Sequence, residues 1–416
     1  MNITKGDVQE LRRRLKKTEC TFGRLCGCYV NSGKQVVTKF TDQFSELEED
    51  EYYKYLEIAK KTFSGTLGAN LLELEFDRSD SGIEHQKYLL TLKGSRLANE
   101  ELLDRLYEQV IEGYGYPGNY LILVYQDVYD VPSKATSGEE QDESTEIYEY
   151  LVCAVCPVEL AKPALGYKEE ENRIGARERD WVVGLPDLGF VYPAFVNRGS
   201  DVNAVMYYVK TGRPSHPEFI ENVLGCVAQR TAAEDKLAFK NVVHDAFGED
   251  EEQADAAFFQ MQKTISAMVA EREEDESLPP VELTAEAFSD LAAEAEVPEN
   301  VREQLGKSYE QVFGDQPPQA HNVLDTRLVE EGTARAHTAA LEQKVAVLQQ
   351  ELAQQAVRAA EEDEDDVPWE TGTVIDVRMP EEMAAKVHTE VVEGRKCLVI
   401  PLTGEESARV NGVEVE

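Results

Sequence analysis

Tyr148-Glu-Tyr-Leu-Val-Cys-Ala-Val-Cys-Pro-Val158 is the stretch on which the fold turns. β-Branched and aromatic residues crowd it and Pro157 stops it, so it predicts a strand. Its nearly continuous apolar character requires burial on both faces, as expected at the centre of a sheet. Downstream, Gly189-Phe-Val-Tyr-Pro-Ala-Phe-Val196 and Val202-Asn-Ala-Val-Met-Tyr-Tyr-Val-Lys210 follow turn-forming segments and are suited to pair with it. Upstream, Tyr120-Leu-Ile-Leu-Val-Tyr-Gln-Asp-Val-Tyr129 predicts an antiparallel partner, separated from it by the polar residues 133–145 as a long loop. The expected class is α+β, with a mixed or antiparallel central sheet, flanking helices, a helical region after it and a small C-terminal β segment.

Around this centre the chain alternates short apolar runs with helical periodicity. Val8, Leu11 and Leu15 recur at helical spacing, with Asp7 and Glu10 early and Arg12, Arg13, Arg14, Lys16 and Lys17 late, an order that suits the helix dipole. A solvated face is the favoured account of this basic run, ahead of a phosphate or partner site. Residues 24–30 predict a strand, and Asp42 or Ser45 is placed to cap a helix ending at Phe63. Ser64-Gly-Thr-Leu-Gly68 is expected to stop that helix, since no strand precedes it and no Gly-Lys-Ser/Thr follows it as in a phosphate loop. Asn99 caps a further amphipathic helix to Ile111, and Pro217 suits a helix start.

Beyond Gly225 helices take over. Thr231-Ala-Ala-Glu234 has capping-box spacing ahead of Leu237, Phe239, Val242 and Val243, and residues 253–274, 284–295 and 298–313 continue the pattern. The last two resemble a helix-turn-helix, but their exposed Glu, Gln and Asp carry the wrong sign for a duplex. Residues 324–329 read as a strand, followed by an Ala-rich helix over 333–360. Within it Leu341, Val345, Leu348, Leu352 and Ala359 follow alternating four- and three-residue spacing with Gln355 interrupting the stripe, a seam too short to establish a coiled coil. The expected divisions are a core over 1–226, a helical region over 227–314, a strand, long helix and acidic linker over 315–366, and a β segment over 367–416.

In 416 residues, 81 Asp+Glu stand against 42 Lys+Arg, a net charge of -39. Such a charge repels phosphate backbones and anionic membranes, so nucleic acid is a disfavoured partner. The N-terminus lacks the apolar core of a signal peptide and no run is long enough for a bilayer, so no membrane association and a cytoplasmic location are expected. Seven scattered cysteines accord with reduced thiols.

Cys153 and Cys156 have the spacing of zinc and redox pairs. Zinc knuckles put such pairs on tight turns, whereas these lie in an apolar strand where residues three apart face opposite sides. Buried inert thiols are favoured, and Pro157 gives no sign of the helix N-terminus that a thioredoxin-like pair needs. The six histidines show no ligand spacing, and no nucleophile elbow, zincin helix or Walker loop is present. Neither a cofactor nor a metal is expected. Asp130, Lys134, Lys162, Asp180, Arg198 and Asp201 fall at predicted strand ends, where loops build clefts. Arg198 would hold an anion and Asp130 or Asp201 act as a base; the competing account makes all six salt bridges and turn-fixing side chains.

Cys26-Gly-Cys-Tyr-Val30, Ser64-Gly-Thr-Leu-Gly68, Tyr129-Asp-Val-Pro132, Cys153-Ala-Val-Cys-Pro-Val158, Asp180-Trp-Val-Val183, Gly189-Phe-Val-Tyr-Pro-Ala-Phe195 and Gly394-Arg-Lys-Cys-Leu-Val-Ile-Pro401 resemble a family of uncharacterised bacterial proteins, mostly from anaerobic Firmicutes. That family is classed as a domain of unknown function. The resemblance spans most of the chain and implies a bacterial cytoplasmic protein, with no catalytic or binding residue to carry over.

Two functions of different class follow. The first is a non-enzymatic protein-interaction or regulatory protein, with 333–360 mediating self-association or docking through an apolar stripe too narrow for a core. The alternative is an enzyme of unrecognised type acting on a small anionic substrate held by Arg198 and Lys162, which requires the strand ends to converge on one pocket.

Overall fold

The computed structural model describes residues 3–134, 140–273, 280–362, 386–392, 395–401, 408–410 and 413–415. It divides into two compact units, Met1–His337 and Thr338–Glu416. In chain order the first unit runs α1 (Lys5–Arg14), β1 (Arg24–Val30), β2 (Val36–Gln43), α2 (Glu49–Lys61), β3 (Leu71–Glu75), α3 (Asp80–Gly94), α4 (Glu100–Gly113), β4 (Asn119–Lys134) and β5 (Glu140–Leu160). There follow β6 (Leu165–Lys168), β7 (Arg173–Ala176), β8 (Trp181–Val183), β9 (Leu188–Tyr192), β10 (Ala194–Val196), β11 (Gly199–Asp201), β12 (Ala204–Val209) and α5 (Pro217–Asn222).

An eight-stranded sheet is ordered β2-β1-β4-β5-β9-β12-β3, with β8 joined to the far end of β5. Each strand pair in it is antiparallel. The four apolar runs at Tyr120, Tyr148, Gly189 and Val202 supply β4, β5, β9 and β12, and so share this sheet. Period-two alternation distributes their side chains between two cores. Ile122, Val124, Cys153, Val155, Phe190 and Tyr207 join Leu89, Leu92, Leu106 and Val110 of α3 and α4 on one face. Leu123, Tyr125, Val152, Ala154, Cys156, Val191 and Met206 meet Val8, Leu11, Leu56 and Ala59 of α1 and α2 on the other. Two-faced burial explains why β5 reads as an unbroken apolar run. It also separates Cys153 from Cys156, one thiol in each core.

Several local expectations are corrected. Residues 133–145 are not one loop, because β4 runs to Lys134 and β5 starts at Glu140, with Lys134 opposite Glu140. The run from Gly189 to Val196 is two strands, divided at the cis Tyr192–Pro193 bond, and β10 turns away to pair with β11. Neither Asp42 nor Ser45 caps α2, which begins at Glu49 after β2 and a short 3₁₀ turn. Residues 169–172 form the turn that joins β6 to β7 in an antiparallel hairpin.

The helical region comprises α6 (Ala232–Phe247), α7 (Glu251–Glu273), α8 (Ala285–Glu294), α9 (Glu299–Phe313) and α10 (Ala320–Val323). The capping box at Thr231 forms as its spacing requires, with reciprocal bonds between Thr231 and Glu234. Phe239, Phe258, Met261, Phe288 and Tyr309 fill a separate apolar core. Residues 324–329 are not a strand: α11 (Thr326–Glu362) begins there, and Asp325 Oδ1 accepts from the Leu328 backbone N–H at 3.2 Å in the manner of an N-cap.

In the second unit α11 ends and two antiparallel hairpins follow, β13 (His388–Val392) with β14 (Arg395–Val399) and β15 (Ala408–Val410) with β16 (Val413–Val415). Of the β segment expected over 367–416, residues 367–385 lie outside the described residues. No helix among the described residues is long and apolar enough to cross a membrane.

Candidate functional site

Two of the six strand-end candidates meet in one cleft. The cleft, about 940 Å³, lies between α1, the C-terminal part of β4 and the turn of the β10–β11 hairpin, and its lining includes Arg13, Arg14, Thr21, Tyr129, Asp130 and Arg198. On α1, Thr4 Oγ1 accepts from the Asp7 backbone N–H at 3.1 Å, and the Asp7 carboxylate accepts from the Thr4 N–H at 2.9 Å. This capping box fixes the first turn, so that Glu10 and Arg14, four residues apart, project from the same side of the helix.

Arg198 lies in the two-residue turn between β10 and β11, where it and Asn197 both take positive φ. That is the geometry of a tight hairpin whose twist matches its strands. The guanidinium donates to Glu10 Oε2 at 2.6 Å and to the Pro132 carbonyl at 2.6 Å. Its backbone N–H reaches Asp7 Oδ1 at 3.3 Å. Glu10 Oε1 in turn accepts from the Tyr129 hydroxyl at 2.7 Å. Burial, then the hydrogen bond to Glu10, pushes the Tyr129 hydroxyl pKa upward.

Deeper in, Asp127 is 1% exposed. Its carboxylate accepts from the Tyr150 hydroxyl at 2.5 Å, from Thr21 Oγ1 at 2.6 Å and from Arg14 at 3.3 Å. The Arg14 guanidinium also lies 3.8 Å from the centroid of the Tyr129 ring. A buried carboxylate is stabilised by such a set of donors. Tyr150 stacks on Tyr148 at 4.6 Å, and the Tyr148 hydroxyl donates to the Pro193 carbonyl at 2.6 Å. Burial raises both phenols well above their ordinary value, so they serve as donors and not as bases.

The remaining candidates lie apart from the cleft. Lys162 is exposed beyond β5, and Asp180, also exposed, pairs with Arg177 at 3.7 Å. Asp201 accepts from the Asn203 backbone N–H at 2.9 Å, fixing a turn. Lys134 ends β4 opposite Glu140. Asp130 is exposed at the cleft wall with no ion-pair partner among the described residues. Glu10 and Arg14, named in sequence only as part of a charged helix, and Asp127 and Tyr150, read only as strand residues, are the side chains that hold this region together. The one signal was an aspartate inside the apolar run of β4.

Thiol chemistry has little support. All seven cysteines are free. Burial pushes Cys20 and Cys28 up to about 11 and Cys153, Cys156 and Cys226 higher still, which disfavours thiolate. Among the described residues no cluster of His, Cys, Asp or Glu is placed to hold a metal.

A different kind of surface lies on α11. Leu341, Val345, Leu348 and Leu352 are 49%, 52%, 57% and 65% exposed. These values are high for large apolar side chains aligned on one face of a helix.

No curated protein and no solved structure matches the chain. The model of one family does match, over residues 1–413, and the chain accordingly belongs to the domain of unknown function family DUF4317.

Proposed function

We propose that the chain is a non-enzymatic protein-interaction protein that docks through α11. One observation carries this: the large apolar side chains Leu341, Val345, Leu348 and Leu352 are exposed at alternating four- and three-residue steps along α11, with Val347 exposed as well. Exposed large apolar side chains in register along a helix are stabilised by being covered, and a partner helix or groove supplies that cover. The cleft gives further support, because Arg14 and Arg198 are already engaged by Asp127, Glu10 and backbone carbonyl. Cations spent on internal ion pairs organise a fold more readily than they bind a substrate. The proposal places the protein in the cytoplasm, where free thiols stay reduced.

A photo-reactive residue at Gln349, beside the stripe, tests the docking in living cells. The expected result is a covalent protein adduct that is absent with the probe at Gln350 and lost on combining Leu341→Glu with Leu348→Glu. Equal labelling from the two probe positions would refute docking through this face.

The second reading, a small anionic ligand in the cleft, is favoured by Asp130 and Arg198 lining one concavity beside Arg13, which is exposed and has no ion-pair partner among the described residues. A metabolite that raises the melting temperature, with the rise lost in Arg13→Ala but kept in Leu341→Glu, would transfer the assignment to the cleft.

A further inference from the structure

We infer that the partner of the α11 stripe is a second copy of the chain, packed antiparallel in a register set by Lys344 and Glu351; this rests on α11 being the docking element. The steps of four, three and four place Leu341 and Leu348 at d and Val345 and Leu352 at a of a heptad. Lys344 and Glu351 then both occupy g, and Glu342 and Gln349 both occupy e. These positions flank the seam and choose among alignments by charge.

In an antiparallel pair, g faces g and e faces e. Aligning Leu341 with Leu352 of the other copy, and Val345 with Leu348, puts an a residue against a d residue in every apolar layer. The same alignment sets Lys344 against Glu351 twice, once at each side of the two-fold axis, and Glu342 against neutral Gln349. Such an interface is closed and self-complementary, as a two-fold dimer requires. In a parallel pair g faces e of the next heptad, so Lys344 meets Gln349 and the ion pairs are lost.

The two charges are free for this use. Among the described residues, the ion pairs along α11 are Arg327–Glu331 and Arg335–Glu331. Lys344 and Glu351 are exposed, with no ion-pair partner inside the chain among the described residues. The chain's net charge of -39 opposes self-association in general, so local opposite charges at the seam have an added part in choosing the alignment.

Charge reversal in the full-length chain tests this. Lys344→Glu sets glutamate against Glu351, and Glu351→Lys sets lysine against Lys344, so each single variant should weaken self-association by about tenfold or more, with two attractive contacts made repulsive. Mixing the two single variants restores opposite charges across the seam and should restore the complex, as should combining both changes in one chain. Single variants that associate like the parent, or a mixture that stays apart, would overturn the antiparallel pairing. If those results came with a persisting Gln349 adduct to a different protein, docking through α11 would stand and the second copy would fall. Loss of the adduct as well would remove both.

Discussion

Gly189 shows how tightly single residues are fixed at the sheet centre. A Cβ built there would lie 2.5 Å from the Cys153 carbonyl oxygen and 2.8 Å from Thr62 Cγ2. The first neighbour is backbone in a paired strand and cannot yield without breaking its ladder. Gly189→Ala should therefore destabilise the fold by about 1–3 kcal/mol, as overpacking does. At Gly94, where a Cβ meets nothing within 4 Å, alanine should be neutral or gain up to about 1 kcal/mol in helix propensity; urea unfolding of both variants checks the contrast. His216 offers a pH test at the same scale. Burial lowers its pKa below 6.5, with Arg213 adding to the shift and Asp187 and Glu234 opposing it. The unfolded chain then binds more protons than the folded one, so stability is lost as pH falls through the ordinary histidine value toward the lower folded value. His216→Asn keeps a residue tolerant of the φ of 57° there. Across this interval the variant should lose less unfolding free energy than the parent, and identical pH profiles would show that His216 makes no contribution.

At the scale of elements, α1 is held to the sheet by the ion pair of Arg14, 12% exposed, with Asp127, 1% exposed. Arg14→Ala strands that carboxylate and should cost about 3 kcal/mol, whereas exposed Arg13→Ala should stay within about 0.5 kcal/mol. Equal melting temperatures for the two would mean that the Thr21 and Tyr150 bonds suffice for Asp127. The pair also shows where sequence reading stops. The basic run of α1 was legible as a helix with its cations at the right end, but its treatment as a wholly solvated face misses Arg14. Helical periodicity follows apolar residues and cannot show that one cation covers a carboxylate in a strand 113 positions away. The same limit hid β2, whose mostly exposed residues Val36–Gln43 carry little apolar signal at the sheet edge. By contrast β4, β5, β9 and β12 were legible because burial on both faces leaves them apolar throughout. The helix α3 was passed over although Ser79 caps it and Leu89 and Leu92 face the core, since its apolar stripe is weak. Of the site candidates, Asp130 and Arg198 were brought together by a hairpin turn and a long strand, a long-range arrangement that their spacing does not encode.

For the whole molecule, the central strands β4, β5, β9 and β12 bury their apolar side chains on both faces of the sheet, and Tyr125, Tyr148, Tyr150 and Tyr207 donate to internal acceptors. The stripe on α11 is a different case, since its four large side chains are exposed among the described residues, which is the observation behind the proposed docking. The central claim is that this partner is another copy, and sedimentation velocity of the full-length chain over a wide concentration range tests it most directly. The prediction is a reversible shift, as concentration rises, from a 46.7 kDa species to one of twice that mass. A single 46.7 kDa species at every concentration would contradict it.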